Sequence, residues 1–325
     1  MKVSIGIIAL NEENCLPNIL DDIINQTYSH RQMEILLVDS DSTDNTKNTM
    51  LHFADKYGKD FYRIKVLDNP EKRQANGWNV VLKNYLGDVI IRIDAHAHIP
   101  MDFVERRIKC LLNGEYVCGG KCPAMCTQDT IIPRILLAAE NAMLGSSISK
   151  FRNSNVSCYV NSISHGAYRR EVFDKVGFFN EKLGRTEDND IHQRIREAGY
   201  KIFFDKNMIS YRYVRPTLKK MLKQKFMNGY WIGRTMYVNP ACISMYYFVP
   251  LIFVVALAIS IALWVKGNSL VFELIAIPYS LLMLISAMAA IKENKWNLSF
   301  IGIAPVCFLM HVCYGVGTIK GLLKL

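Results

Sequence analysis

The chain has 325 residues, half of them apolar, and carries 39 Lys and Arg against 29 Asp and Glu, a formal charge of +10. That is too long for one small domain and apolar enough for a sizeable core. The positive charge comes without a helix-turn-helix, zinc-finger or RNA-binding signature, which argues against nucleic acid as a partner.

The first apolar run, "KVSIGIIAL", reads as a buried strand. It leads straight into "NEEN" with no small-residue cleavage site, so no secretion signal is expected and the N-terminal part is placed in the cytosol. Leu16, Ile19, Leu20, Ile23 and Ile24 then recur at helical spacing. "MEILLVDS" is a second strand, and "STDNTKNTMLHFADKYG" a helix that Ser42 or Thr43 can cap and Gly58 can end. "YRIKVLD", "QANGWNVVLKNYLG" and "DVIIRID" continue as strand, helix, strand. This alternation predicts a parallel, doubly wound α/β sheet. In such sheets ligands gather beyond the carboxyl ends of the strands.

Those ends share one chemistry. Asn11, Glu12 and Glu13 follow the first strand, Asp39, Asp41 and Asp44 the second, Asp68 and Asn69 the third, and Asp94, Ala95 and His96 the fourth. Asp and Asn also favour turns and caps, which would explain any one of these clusters. Four on one edge predict a binding edge. No G-x-G-x-x-G or G-x-x-x-x-G-K-[ST] occurs, which argues against a dinucleotide oxidoreductase and a P-loop enzyme.

Further along, "CGGKCPAMC" places Cys118, Cys122 and Cys126 four residues apart. The spacing fits no common zinc or iron–sulfur pattern, so one face of a strand carrying small buried residues is expected. Nine cysteines in a cytosolic setting are not expected to form disulfides.

The composition changes after about residue 240. Ile243–Val265, Leu274–Ile291 and Leu298–Ile319 contain no Asp, Glu, Lys or Arg. Each run is near the ~20 residues that span a bilayer. Three membrane helices are expected, or two and a re-entrant one; three full crossings would put Lys320 and Lys324 outside. Arg215, Lys219, Lys220, Lys223, Lys225 and Arg234 precede the first run and mark a cytoplasmic flank. Much of the net charge then suits anionic lipid. Leu218, Met221, Leu222 and Phe226 at helical spacing beside the lysines suggest a helix lying in the membrane surface or packed on the domain.

"VSIGIIALNEE", "ILLVDSDSTDNT", "GDVIIRIDAHA", "GAYRREVFDKVGFFNEKL", "RTEDNDIHQRIREAGYKIFFD" and "QKFMNGYWIGR", in that order, resemble the family-2 inverting glycosyltransferases of the GT-A fold. The likeness is to the membrane-bound branch that builds bacterial exopolysaccharides, of the succinoglycan glucosyltransferase type. It implies a GT-A catalytic domain over 1–214, an amphipathic interfacial segment over 215–242 and a membrane domain over 243–325.

The resemblance implies transfer of a sugar from a nucleotide-sugar, most often a UDP-sugar, to a membrane-associated, lipid-linked saccharide. Asn11, Glu12, Asp39 and Asp41 match the nucleotide-binding loops, with Ser40 and Asp41 in place of the usual Asp and Gly. Arg73 either approaches the diphosphate or is a surface arginine. Asp94 and His96 stand at the D-x-D position, which holds a divalent cation; the imidazole favours Mn²⁺ over Mg²⁺. His98 is expected to pack or to lie at the surface rather than to ligate. Glu187 and Asp188 match the acidic pair, Asp188 as general base, and Gln224 and Trp231 the element lining the acceptor and diphosphate region. A processive polysaccharide synthase, a non-catalytic assembly subunit and a nucleotidyltransferase are the alternatives; the acids at 94 and 188 speak against the second and "NEENC" against the third.

Overall fold

The computed structural model describes residues 1–126, 128–142 and 155–324. The described residues form two compact units, 1–123 with 155–213, and 124–142 with 214–324.

The chain runs β1 (Val3–Ala9), α1 (Leu16–Ile24), β2 (Met33–Asp39), α2 (Thr46–Tyr57), β3 (Arg63–Asp68), α3 (Gln74–Asn84), β4 (Val89–Asp94), β5 (Ala97–His98), α4 (Phe103–Leu112) and β6 (Val117–Lys121). It enters the second unit with β7 (Ala124–Met125) and α5 (Ile131–Asn141). The first unit resumes with β8 (Cys158–Val160), β9 (Ala167–Arg169), α6 (Arg170–Val176), α7 (Glu187–Glu197), β10 (Ile202–Ile209) and β11 (Tyr211–Tyr213). The last helices, α8 (Leu218–Thr235), α9 (Val249–Val265), α10 (Leu270–Glu293) and α11 (Ile303–Leu322), belong to the second unit.

The main sheet has the order β3-β2-β1-β4-β9-β6-β10-β8. Its first four strands are parallel, as the alternating pattern predicts. The register sets Ala9 beside Asp39, Asp39 beside Asp68 and Ile8 beside Asp94, so the four strands end on one line. The whole sheet is mixed rather than parallel, because β9 runs antiparallel between β4 and β6. Both faces are covered. Ile35 and Leu37 join Leu16, Ile19 and Phe103 on one side; Leu36 and Val38 join Trp78, Val81 and Ile191 on the other. Hence β1 reads as a near-continuous apolar run, and β2 and β4 do so but for Glu34 and Arg92 before their closing aspartates, whereas β3 at the sheet edge is only partly buried.

Two local readings need correction. α2 starts at Thr46 behind Asn45, not at Ser42 or Thr43, because both of those residues bond to the loop after β1. The cysteine segment is not one strand: β6 ends at Lys121 and Pro123 precedes β7. Cys118 and Cys122 are buried, and none of the nine cysteines is in a disulfide among the described residues.

Gly120 has a structural demand on it. A Cβ there would sit 2.1 Å from the Met208 carbonyl oxygen on β10. Gly120→Ala is expected to cost about 1–3 kcal/mol or more, seen as a lowered thermal midpoint of the full chain.

In the second unit, Leu136, Ala139, Met221, Phe300, Ile303, Cys307 and Met310 form a core. α8 lies against α11 through glycines on both helices. A Cβ on Gly229 would meet the Tyr314 carbonyl oxygen at 2.0 Å, and one on Gly317 the Phe226 carbonyl oxygen at 2.1 Å. Such small faces let two backbones approach closely. Lys219, Lys220 and Lys223 are exposed on α8, whereas Lys225 is buried 2.6 Å from Glu140 and leaves the basic face. Three helical stretches, Met245–Val265, Leu270–Glu293 and Leu298–Leu322, are long and apolar enough to cross a membrane.

Candidate active site

The loops after β1 and β2 are stitched together by side-chain bonds to the backbone. Asn11 N–H donates to Ser42 Oγ at 3.0 Å, Thr43 N–H donates to Asn11 Oδ1 at 2.8 Å, and Glu12 N–H donates to Thr46 Oγ1 at 2.8 Å. Asn11 and Asp41 both sit at positive φ, 55° and 59°, which short polar side chains tolerate better than most. This lattice fixes the edge on which the carboxylates stand.

Behind it, Asp39 and Ser40 are buried and Asn69 Nδ2 donates to Ser40 Oγ at 2.9 Å. Ser40 therefore ties β2 to the end of β3. Asp41 is exposed and pairs with Lys72 at 2.6 Å, a bond that holds its carboxyl below the usual range. Arg73 stands just before the first residue of α3 and donates to the Glu181 carbonyl at 3.2 Å.

At the end of β4, Asp94 Oδ2 lies 3.3 Å from His165 Nε2. Burial works against charge on Asp94, but the bond and charge of His165, with His96 and Arg92, hold its carboxyl well below the usual range. His165 is buried at a φ of 47° and its Nδ1 lies 2.9 Å from Ser210 Oγ. Burial opposes its charge, yet Cys122 and Asp94 push it up to about 10. His96 Nδ1 is 3.2 Å from Glu12 Oε1 and partly exposed. His98 turns to Asp22 at 2.8 Å and stacks on Tyr211, so it serves packing. Among the described residues, no group of three or more His, Cys, Asp or Glu side chains forms a metal cage.

The acidic pair opens α7. Glu187 is buried, while the Asp188 side chain is 42% exposed. Arg92, two residues before Asp94 on β4, sits 2.5 Å from Asp188 Oδ1 and 3.9 Å from Glu187 Oε1. A cavity between β4 and the 163–168 segment is lined by Arg92, Asp94, His165, Tyr168 and Asp188. One turn along α7, His192 contacts Tyr168 OH at 2.8 Å and Ser162 Oγ at 2.9 Å, and burial pushes it down to about 4. It is therefore a neutral spacer behind the acids.

Burial and the neighbouring Asp188 push Glu187 up to about 8 against an ordinary 4.5. The folded chain then holds a proton that the unfolded chain releases, so stability falls as pH rises from about 4.5 through 8. Glu187→Gln is expected to flatten that slope, read from thermal midpoints of the full chain at pH 6 to 9 (roughly, bracketing that value).

The structure thus gathers Asp94, His96, Glu12, Glu187 and Asp188 within the first unit, beside the loop of Asn11, Asp39 and Asp41. Gln224 and Trp231 lie on α8, in the second unit. Arg92 and His165 were not foreseen. A single arginine inside "VIIRID" is the available signal, since a charge in a buried strand must find a partner. His165 carries no comparable mark.

The family model described as "Glycosyl transferase family 2" matches residues 4–177. A dolichyl N-acetyl-alpha-D-glucosaminyl phosphate 3-beta-D-2,3-diacetamido-2,3-dideoxy-beta-D-glucuronosyltransferase of Methanococcus voltae is 24% identical over 99% of this chain and 97% of its own length. The succinoglycan biosynthesis protein ExoA of Rhizobium meliloti is 28% identical over 69% of this chain and 66% of its own. Among solved structures, the mannosyltransferase PcManGT from Pyrobaculum calidifontis, in complex with GDP-Man and Mn²⁺, superposes with a TM-score of 0.64 at 16% identity, covering 99% of this chain and 87% of that one. That likeness shows a shared fold, the mixed α/β GT-A arrangement that the ordered motifs imply.

Proposed function

Because the chain belongs to glycosyl transferase family 2, we propose that it transfers one sugar from a nucleotide-diphosphate donor, a UDP-sugar in the first instance, to a hydroxyl of a lipid-linked saccharide, inverting the anomeric centre. The product feeds an exopolysaccharide or capsule. The observation that carries this reading is one cavity lined by both Asp94 and the exposed Asp188 carboxylate, at the end of the central parallel strands.

The roles follow from position. Asp188 accepts the proton of the attacking hydroxyl, as direct displacement requires of one carboxylate. Glu187, buried and with its carboxyl pushed up by burial and by Asp188, supports α7 rather than reacting. Asp39, Asp41, Asn11 and Glu12 form the nucleotide side of the edge, where carboxylates suit the ring N–H of uracil, and Arg73 at the start of α3 stands on the diphosphate side. Gln224 and Trp231 on α8 are assigned to the acceptor side.

The ionised Asp94 and the partly exposed His96 suit a divalent cation that takes only one or two ligands from the protein. Such an ion, when bound, neutralises charge on the leaving diphosphate. The imidazole favours Mn²⁺ over Mg²⁺. Turnover is expected to be higher with Mn²⁺ at matched occupancy; equal turnover with both ions would remove His96 from the site.

The apolar helices are assigned to the membrane, with the exposed Lys219, Lys220 and Lys223 marking a cytoplasmic catalytic unit. The name of the Methanococcus relative, which specifies a dolichyl-phosphate-linked sugar, supports a lipid-borne acceptor here. The test is a donor screen on the full chain with Mn²⁺ and purified membrane lipids, read as nucleotide release. Acceptor-dependent release from a UDP-sugar is expected. Release from no nucleotide-sugar, or from GDP-sugars alone, would refute the proposed donor.

A further inference from the structure

The Arg92 side chain is only 8% exposed, in a strand whose neighbours Ile91 and Ile93 are fully buried. Its guanidinium carbon lies 4.3 Å from the centre of the Trp78 ring and 4.8 Å from that of Phe179. The aromatic faces fix the plane of the fork, and a fork so fixed can hold a carboxylate in one orientation.

Burying a guanidinium in a central strand is costly, and an apolar side chain of the same volume would often stabilise such a site as well or better. The pair therefore does something that packing alone would not require. Its geometry is asymmetric: 2.5 Å to Asp188 Oδ1 but 3.9 Å to Glu187 Oε1. The closer carboxylate is the exposed one that lines the cavity beside Asp94.

We propose that Arg92 is a positioning residue: it grips Asp188 through one carboxylate oxygen and leaves its second oxygen aimed at the acceptor hydroxyl. This rests on the reading of Asp188 as the base. The raised position of Glu187 agrees with it, since of two adjacent acids the buried one keeps its proton. Because Arg92 and Asp94 share one face of β4, the strand sets the spacing between the base and the donor-side carboxylate.

The experiment compares Arg92→Met, Arg92→Lys and Asp188→Asn in the full chain in nanodiscs. Turnover is read as nucleoside diphosphate released from a mixture of UDP-glucose, UDP-N-acetylglucosamine and GDP-mannose onto extracted polyprenyl-diphosphate saccharides. Affinity is read by calorimetry with UDP and GDP in Mn²⁺. Arg92→Met is expected to lower turnover by about 10²-fold, the effect of misplacing a reacting group by an ångström, with nucleotide affinity unchanged. Arg92→Lys should recover about tenfold of that loss, because the charge returns without the fork. If Arg92→Met does not fold, Glu187→Gln is added to remove the acid left buried without its partner. An active Arg92→Met beside an inactive Asp188→Asn would overturn this inference alone. An active Asp188→Asn would overturn the base as well. Equal loss in Met and Lys variants, with lost nucleotide affinity, would mean that Arg92 only holds the fold.

Discussion

Asp188→Asn is expected to lower turnover roughly 10²-fold or more while nucleotide affinity stays near that of the native chain. Asparagine keeps the size and planarity of the side chain but cannot take a proton. Its position argues for a kinetic rather than a binding effect. Asp188 stands at the second residue of α7, its side chain 42% exposed toward a cavity, whereas the nucleotide loops after β1 and β2 are held by their own bonds. An acid at a helix start also interacts favourably with the backbone there, worth about 0.3–1 kcal/mol of stability, and the variant leaves the buried Arg92 without its nearest carboxylate, so stability should fall further. A thermal midpoint measured beside the rate separates the two effects.

Asp94→Asn should be more damaging and in a different way. We expect turnover to fall on the order of 10²–10³-fold, the usual cost of removing a preorganised charge from a reacting centre. Here, unlike at position 188, the affinity for UDP in Mn²⁺ should fall too. The carboxylate sits among His165, His96 and Arg92, and all three favour its charged form. Removing it leaves His165 buried without its acid partner at 3.3 Å, so stability should drop as well. Binding of UDP with and without Mn²⁺ checks the assignment: a variant that loses binding only in the presence of the ion places Asp94 on the cation.

Much of the first unit was legible because β1, β2 and β4 are buried and its helices are amphipathic. β1 to β4 and α1 to α3 lie where apolar runs and helical spacing put them. The carboxylate-rich edge was legible for the same reason, since parallel strands end together. What failed depended on partners remote in sequence. Ser42 and Thr43 look like helix caps until Asn11 claims them. Lys225 looks like one more surface lysine on α8 until Glu140 buries it. β9 has three residues, too few to show any period, yet it turns a parallel sheet into a mixed one. Gly229 gives no periodic signal, yet it lets α8 approach the backbone of α11. Arg92 could have been flagged as a charge in a buried strand, but neither Glu187 nor Asp188 could have been named as its partner without the fold.

The most direct test of the reaction is transfer of labelled sugar from UDP-sugars into the lipid fraction by the full chain in Mn²⁺, run beside Asp188→Asn and Asp94→Asn. The proposed function predicts incorporation that needs both the lipid acceptor and the cation, falls at least about 10²-fold in either variant, and yields a product of inverted anomeric configuration. Incorporation that survives in both variants, or a product that retains the donor's configuration, would contradict it.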